Sequence, residues 1–104
     1  MPTRESDDLY SLLAENIRDY AIFIADREGY ISKWGLGAAR LFGYEDDEAV
    51  GNHIAMIFTP EDRERREPER ELQTAREFGH AEDERWHIRK DGSLFWASGI
   101  LTAL

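Results

Sequence analysis

Apolar residues recur along the chain in two rhythms, one near 3.6 residues and one of two, and the switches between them mark out the elements. Ser6, Asp7 and Asp8 supply an N-cap and acids that suit a helix dipole. Leu9, Leu12, Leu13 and Ile17 then follow at helical spacing, which predicts a short amphipathic entry helix over about 7–17. Residues 20–25, Tyr-Ala-Ile-Phe-Ile-Ala, are too few and too rich in β-branched and aromatic side chains for a helix. They read as a strand, with Asp26 to Gly29 as the turn and 30–34 as the hairpin partner. Two brief helices follow, 36–42 stopped by Gly43 and 46–50 opened by acids and stopped by Gly51. Thr59, Pro60, Glu61 and Asp62 begin a long polar helix, in which Pro68 predicts a kink or restart near Glu67. Beyond it Leu72, Ala75 and Phe78 give one apolar stripe ending at Gly79. Two last apolar runs hinge on Lys90, Asp91, Gly92 and Ser93, a hairpin whose second arm runs from Leu94 to Leu104.

Helix, two strands, several helical pieces and two strands form an α+β order, an antiparallel sheet covered by helices. At 104 residues and 41% hydrophobic composition the chain is one domain with one core. No run approaches the roughly 18 apolar residues of a membrane span, and the N-terminus lacks the apolar stretch of a secretory signal, so a cytoplasmic home is expected. With no cysteine there is no disulfide framework and no thiolate chemistry. Twenty-two acidic residues against 13 basic ones give a net charge of −9, a field that repels nucleic acid and anionic lipid. His53, His80 and His87 show no metal-ligand spacing. Carboxylates are plentiful, but from Glu61 to Glu71 they alternate with arginines as in a solvated helix face, and no Gly-rich phosphate loop or Ser-His-Asp order stands out.

The ordered stretches YAIFIADREGYISKW, GAARLFGYEDDEAVG, IFTPEDRE, PERELQTA and EDERWHIRKDGSLFWASGILTAL carry a resemblance. Together they resemble a PAS domain of the kind found in bacterial and archaeal sensor histidine kinases, from about residue 9 to the end. The resemblance implies an antiparallel sheet of spatial order 2-1-5-4-3, with helices over one face forming a ligand pocket. Strands one to four have counterparts here and the fifth, central strand has none, so the neighbouring edges are expected to lie open. Truncation of a longer signalling protein is the favoured account, with the N-terminal region or a second copy filling the place as alternatives. Where close relatives commonly have Trp-Asn-Pro-Gly-Ala-Glu, this chain has Trp34 to Ala39 with neither Asn nor Pro, which predicts a looser start to that helix.

The resemblance also bears on cofactors. Light-sensing relatives place the flavin-adduct cysteine where Ile54 stands and hold flavin by two asparagines whose places look like His87 and Ala97, and Ala97 has no amide to offer. Haem-binding relatives carry their ligating histidine on the long helix, and residues 59–79 contain none. Neither flavin nor haem is expected, no metal site is expected, and a small ligand of unknown identity is left open. The implied pocket is lined by Ile54, Phe58, Leu72, Phe78, His87, Phe95 and Ala97. With the family's hairpin loop, His87, Arg89, Phe95, Ala97, Gly99 and Leu101 face the helices and Trp86, Ile88, Trp96 and Ser98 face outward. His87 then either meets a ligand or proton, or is a half-buried imidazole bonded to a backbone carbonyl. The outward Trp86, Ile88 and Trp96, with Leu9, Leu13 and Ile17 of the entry helix, form the expected interface, packed within the chain or between two copies. The function implied is a sensory input module that signals through a homodimer to a fused or partner output domain such as a histidine kinase. The alternatives are a small pocket enzyme with His87 as base, or a purely structural dimerisation module.

Overall fold

The structure, a computed structural model, describes residues 21–103. The entry helix expected over 7–17, with Leu9, Leu13 and Ile17, lies outside the described residues. Strands β1 (Ile24–Ala25) and β2 (Ile31–Lys33) pair antiparallel around a turn built on Asp26. Its Oδ1 accepts from the backbone N–H of Glu28 at 3.0 Å and of Tyr30 at 2.9 Å. Gly29 has φ of 95°, and a Cβ there would stand 2.6 Å from His53 Nε2, so both conformation and space demand glycine. These strands are shorter than the pattern predicts because the register slips between Ile24 and Ala25, and Ile31 turns its other backbone edge to Gly51 and Asn52.

Helix α1 (Leu36–Phe42) starts at Gly35 without a side-chain cap and ends on Gly43 in the left-handed region, which accords with the loss of Asn and Pro at its start. Helix α2 (Asp46–Ala49) is opened by a capping box of Glu45 and Glu48. A 3-10 turn (Ile54–Ile57) follows, held by His53, whose Nδ1 accepts from Ala55 N–H while Nε2 meets Glu28 O at 2.8 Å. His53 is thereby a clasp between this turn and the first hairpin. Helix α3 (Pro60–Glu64) carries the predicted Thr59 cap, and Arg66 at φ 60° separates it from α4 (Glu67–Phe78), so Pro68 marks a restart.

The long strands β3 (His80–Ile88) and β4 (Leu94–Thr102) pair in unbroken register from His80 with Thr102 to Ile88 with Leu94. Asp91 and Gly92 shape their turn, Asp91 Oδ1 accepting from Ser93 N–H at 2.9 Å. Among the described residues β1–β2 and β3–β4 are two separate ladders, and no strand joins β1 to β4. The core lies under the helices around Trp34, Phe42 and Phe58, with Ile31, Ile54, Ile57 and Leu72. Trp34 is 1% exposed, stacks at 5.2 Å on Phe23 and 5.5 Å on Phe42, and donates its indole N–H to Tyr44 O. None of the described helices is long and apolar enough to cross a membrane.

Candidate functional site

Period-two alternation along β3 sends Ala81, Asp83, Arg85 and His87 to the inner face, while Trp86 points out. Opposite them α4 buries Pro68, Glu71, Leu72 and Ala75. Between β3–β4, α4, the 3-10 turn and the residues leading into β1 lies a cavity of about 370 Å³. Its wall is mostly apolar, with Phe42, Ile54, Ile57, Phe58 and Phe95, and one end is polar, formed by Glu71, Asp83 and His87. Exposed Ser98, Gly99 and Ile100 of β4 mark the side open to solvent.

His87 is 4% exposed and fixed from both nitrogens. Nδ1 lies 2.8 Å from Ile57 O, which can only accept, so that nitrogen carries a proton. Nε2 lies 2.7 Å from Asp83 Oδ1, and one proton, on ring or carboxyl, must sit between them. Phe58 meets the ring edge to face at 4.9 Å.

Arg85 gathers the acids. Its guanidinium stands 3.2 Å from Glu71, 3.4 Å from Asp83, 3.4 Å from Asp62 and 3.4 Å from Glu67, with Cζ 5.2 Å over the Phe58 ring. Burial, then the hydrogen bond and charge of Asp83, push the Glu71 carboxyl up to about 9. Burial works in the same direction on Asp83, but the hydrogen bonds from His87 and Glu71 outweigh it and hold Asp83 below its ordinary value. Glu71 therefore holds a proton at neutral pH and shares it with an ionised Asp83.

Of the residues expected in the pocket, Ile54, Phe58, His87, Phe95 and Ala97 line this cavity together. Leu72 is instead a core residue, packed with Ile31 and Trp34. Phe78 is not in a pocket: it is 72% exposed at the end of α4. Phe78 lies about 120° from Leu72, at the edge of the buried face, and is the last residue of α4 before the Gly79 cap, where the helix end stands in water. The polar end was missed, because the Glu61 to Glu71 run reads as a solvated face and Glu71 is 7% exposed. Its signal is its place beside Leu72 on the stripe with Pro68 and Ala75, and Asp83 and Arg85 follow by stepping back in twos from His87. Trp86 and Trp96 face outward, 52% and 56% exposed and edge to face at 5.7 Å, with Ile88 half-buried nearby. Among the described residues no cluster of three or more His, Asp or Glu is placed to hold a metal ion.

A family model described as PAS domain matches residues 19–104. The chain belongs to the PAS domain family. The PAS domain is 39% identical over 98 residues to Two-component system protein A of Emericella nidulans, a match covering 94% of this chain and 14% of that curated relative's length. It resembles the crystal structure of the PAS domain of a protein from Colwellia psychrerythraea, with TM-score 0.75, 24% identity and coverage of 93% of this chain and 83% of that one. It also resembles the PAS domain, in complex with ethanol, of a LuxR-family transcriptional regulator from Burkholderia thailandensis, with TM-score 0.66, 19% identity and coverage of 88% and 91%. At these identities the two structures speak to the fold alone.

Proposed function

We propose that this PAS domain is a cytoplasmic sensory input module that takes a small ligand in its cavity and passes the state to a signalling partner, in a two-component pathway. The observation that carries the reading is the cavity itself, an apolar wall with one convergent polar end at Glu71, Asp83 and His87. The relationship to a two-component protein supports the signalling context, and a histidine kinase output is part of the proposal.

An enzymatic role for His87 fits poorly, since Ile57 O and Asp83 engage both ring nitrogens and leave neither free to meet a substrate. The same engagement keeps the ring from ligating a haem iron, and with Ile54 and Ala97 where flavin-binding relatives have Cys and Asn, the ligand is proposed to be colourless. The outward Trp86 and Trp96 are proposed as the face for self-association, being half exposed and adjacent.

The test is to denature freshly purified protein, identify released small molecules by mass spectrometry, and record the visible spectrum beforehand. A colourless sample carrying a small organic molecule is expected. Stoichiometric flavin or haem overturns the cofactor reading, and a protein that carries nothing and binds no small organic probe overturns the sensor reading.

A further inference from the structure

The polar end of the cavity adjoins a cluster of acids gathered on one arginine. Arg85 on β3 faces Asp62 from α3, Glu67 and Glu71 from α4 and Asp83 on its own strand, all within 3.4 Å. His87 meets Asp83, and Glu67 is shared with the exposed Arg70. With one proton on Glu71, three carboxylates still surround Arg85. Of this cluster Glu71, Asp83 and His87 reach the cavity wall.

Glu71 is more than nine-tenths buried, and its Oε2 makes no hydrogen bond, although it stands 3.2 Å from Arg85 Nη2. The ion pair with Arg85 offsets part of the cost of burying that oxygen, and a well-aligned donor would offset more. The rest of the wall presents the rings of Phe42, Phe58 and Phe95, of which Phe58 and Phe95 already lie under the guanidinium groups of Arg85 and Arg89, at 5.2 and 4.4 Å. An anionic ligand would be driven against carboxylates, and a ligand without donors would leave Glu71 Oε2 as it is.

We propose that the ligand is a small apolar amine, bound as its ammonium between Glu71 and Asp83 with its apolar body against the phenylalanine rings, an assignment that rests on the cavity being a ligand site. The ammonium N–H groups take the place of the carboxyl proton on Glu71, which leaves to solvent, and no covalent bond of the ligand changes. Binding is thus coupled to proton release, and amines are selected over alcohols and acids of the same shape.

The experiment is calorimetric titration of the protein near neutral pH with benzylamine, benzyl alcohol and benzoate, each in phosphate and in Tris. Benzylamine is expected to bind at least about tenfold tighter than benzyl alcohol, as a charge-assisted bond to a buried acceptor implies, with benzoate weakest. Its heat should differ between the buffers by the ionisation of up to one released proton. Glu71→Gln should remove the buffer dependence and weaken the amine about tenfold. Because the buffer comparison needs no variant, it stands even if Glu71→Gln folds badly. Alcohol binding as tightly as amine, or amine binding without proton release, overturns the amine assignment and leaves the cavity reading intact. Failure of all three probes to bind overturns both.

Discussion

Glu71 ties the stability of the fold to pH in a direction opposite to that of most surface acids. Its carboxyl, ordinarily at 4.5, is pushed to about 9 by burial first and then by Asp83. Below pH 4.5 folded and unfolded chains both hold this proton and its contribution to stability is fully present. Between 4.5 and 9 the folded state holds a proton that the unfolded state has released, so stability falls as pH rises, by at most about 1.4 kcal/mol per pH unit. Asp83 acts in the other sense: held below its ordinary 3.8 mainly by His87 and Glu71 against the cost of burial, it stabilises above that value and the contribution is lost as pH falls through the folded value. The optimum therefore lies in mild acid. If neighbouring groups absorb half of the Glu71 effect, raising the pH from 5 to 8 costs about 2 kcal/mol, or roughly 10 °C in Tm for a domain of this size. Glu71→Gln keeps the shape and a donor for Asp83 but cannot ionise. It should melt near wild type at pH 5 and clearly above it at pH 8. The assay is thermal melting by circular dichroism across this range at fixed ionic strength, and parallel curves for the two proteins would refute the buried-proton argument.

Two further outcomes follow from the same geometry. Arg85→Met leaves four acids without their common cation; because the guanidinium is 17% exposed some screening remains, so a loss of about 2–4 kcal/mol in denaturant melts is expected, and a loss under about 1 kcal/mol would contradict the hub. Trp86→Glu and Trp96→Glu, both at half-exposed positions, should leave the fold intact and weaken self-association in sedimentation; unchanged sedimentation in both would show that this face is not the interface.

Much of this architecture was legible because the decisive signals are local. Asp26 and Gly29 at the first turn, Thr59 and Pro60 at a helix start, and Asp91 and Gly92 in the last hairpin each act through backbone conformation within a few residues. The outward Trp86 and Trp96 followed from strand period once the family's hairpin loop set the phase, and the family resemblance placed five of seven expected pocket residues on one cavity. What stayed hidden depends on distant partners. Nothing near Glu71 in sequence tells that Asp83, Arg85 and His87 on β3 meet it, and a charged residue among arginines looks solvated until that strand is laid across the helix. The misplacement of Phe78 has a different origin, since it is the last residue of α4 and stands at the helix end in water although it continues the apolar stripe.

Glu71 and Phe78 together depart from the burial pattern of the rest of their helix. A large apolar side chain stands in water while a carboxyl about two turns away on the same helix is buried, the reverse of what burial energetics favour. Keeping Glu71 protonated at neutral pH costs about 2 kcal/mol with the same half allowance, and an apolar residue of similar volume would avoid that cost. Sites that break the rules of burial inside an otherwise consistent core are where function is expected. In the proposed reading the cost has a use: an ammonium group in the cavity relieves it, so the acid that weakens the empty domain strengthens the occupied one. The difference between the two states is then concentrated on β3, whose inner face carries Asp83, Arg85 and His87 and whose outer face carries Trp86, so that the strand beside the proposed ligand also carries the proposed self-association face.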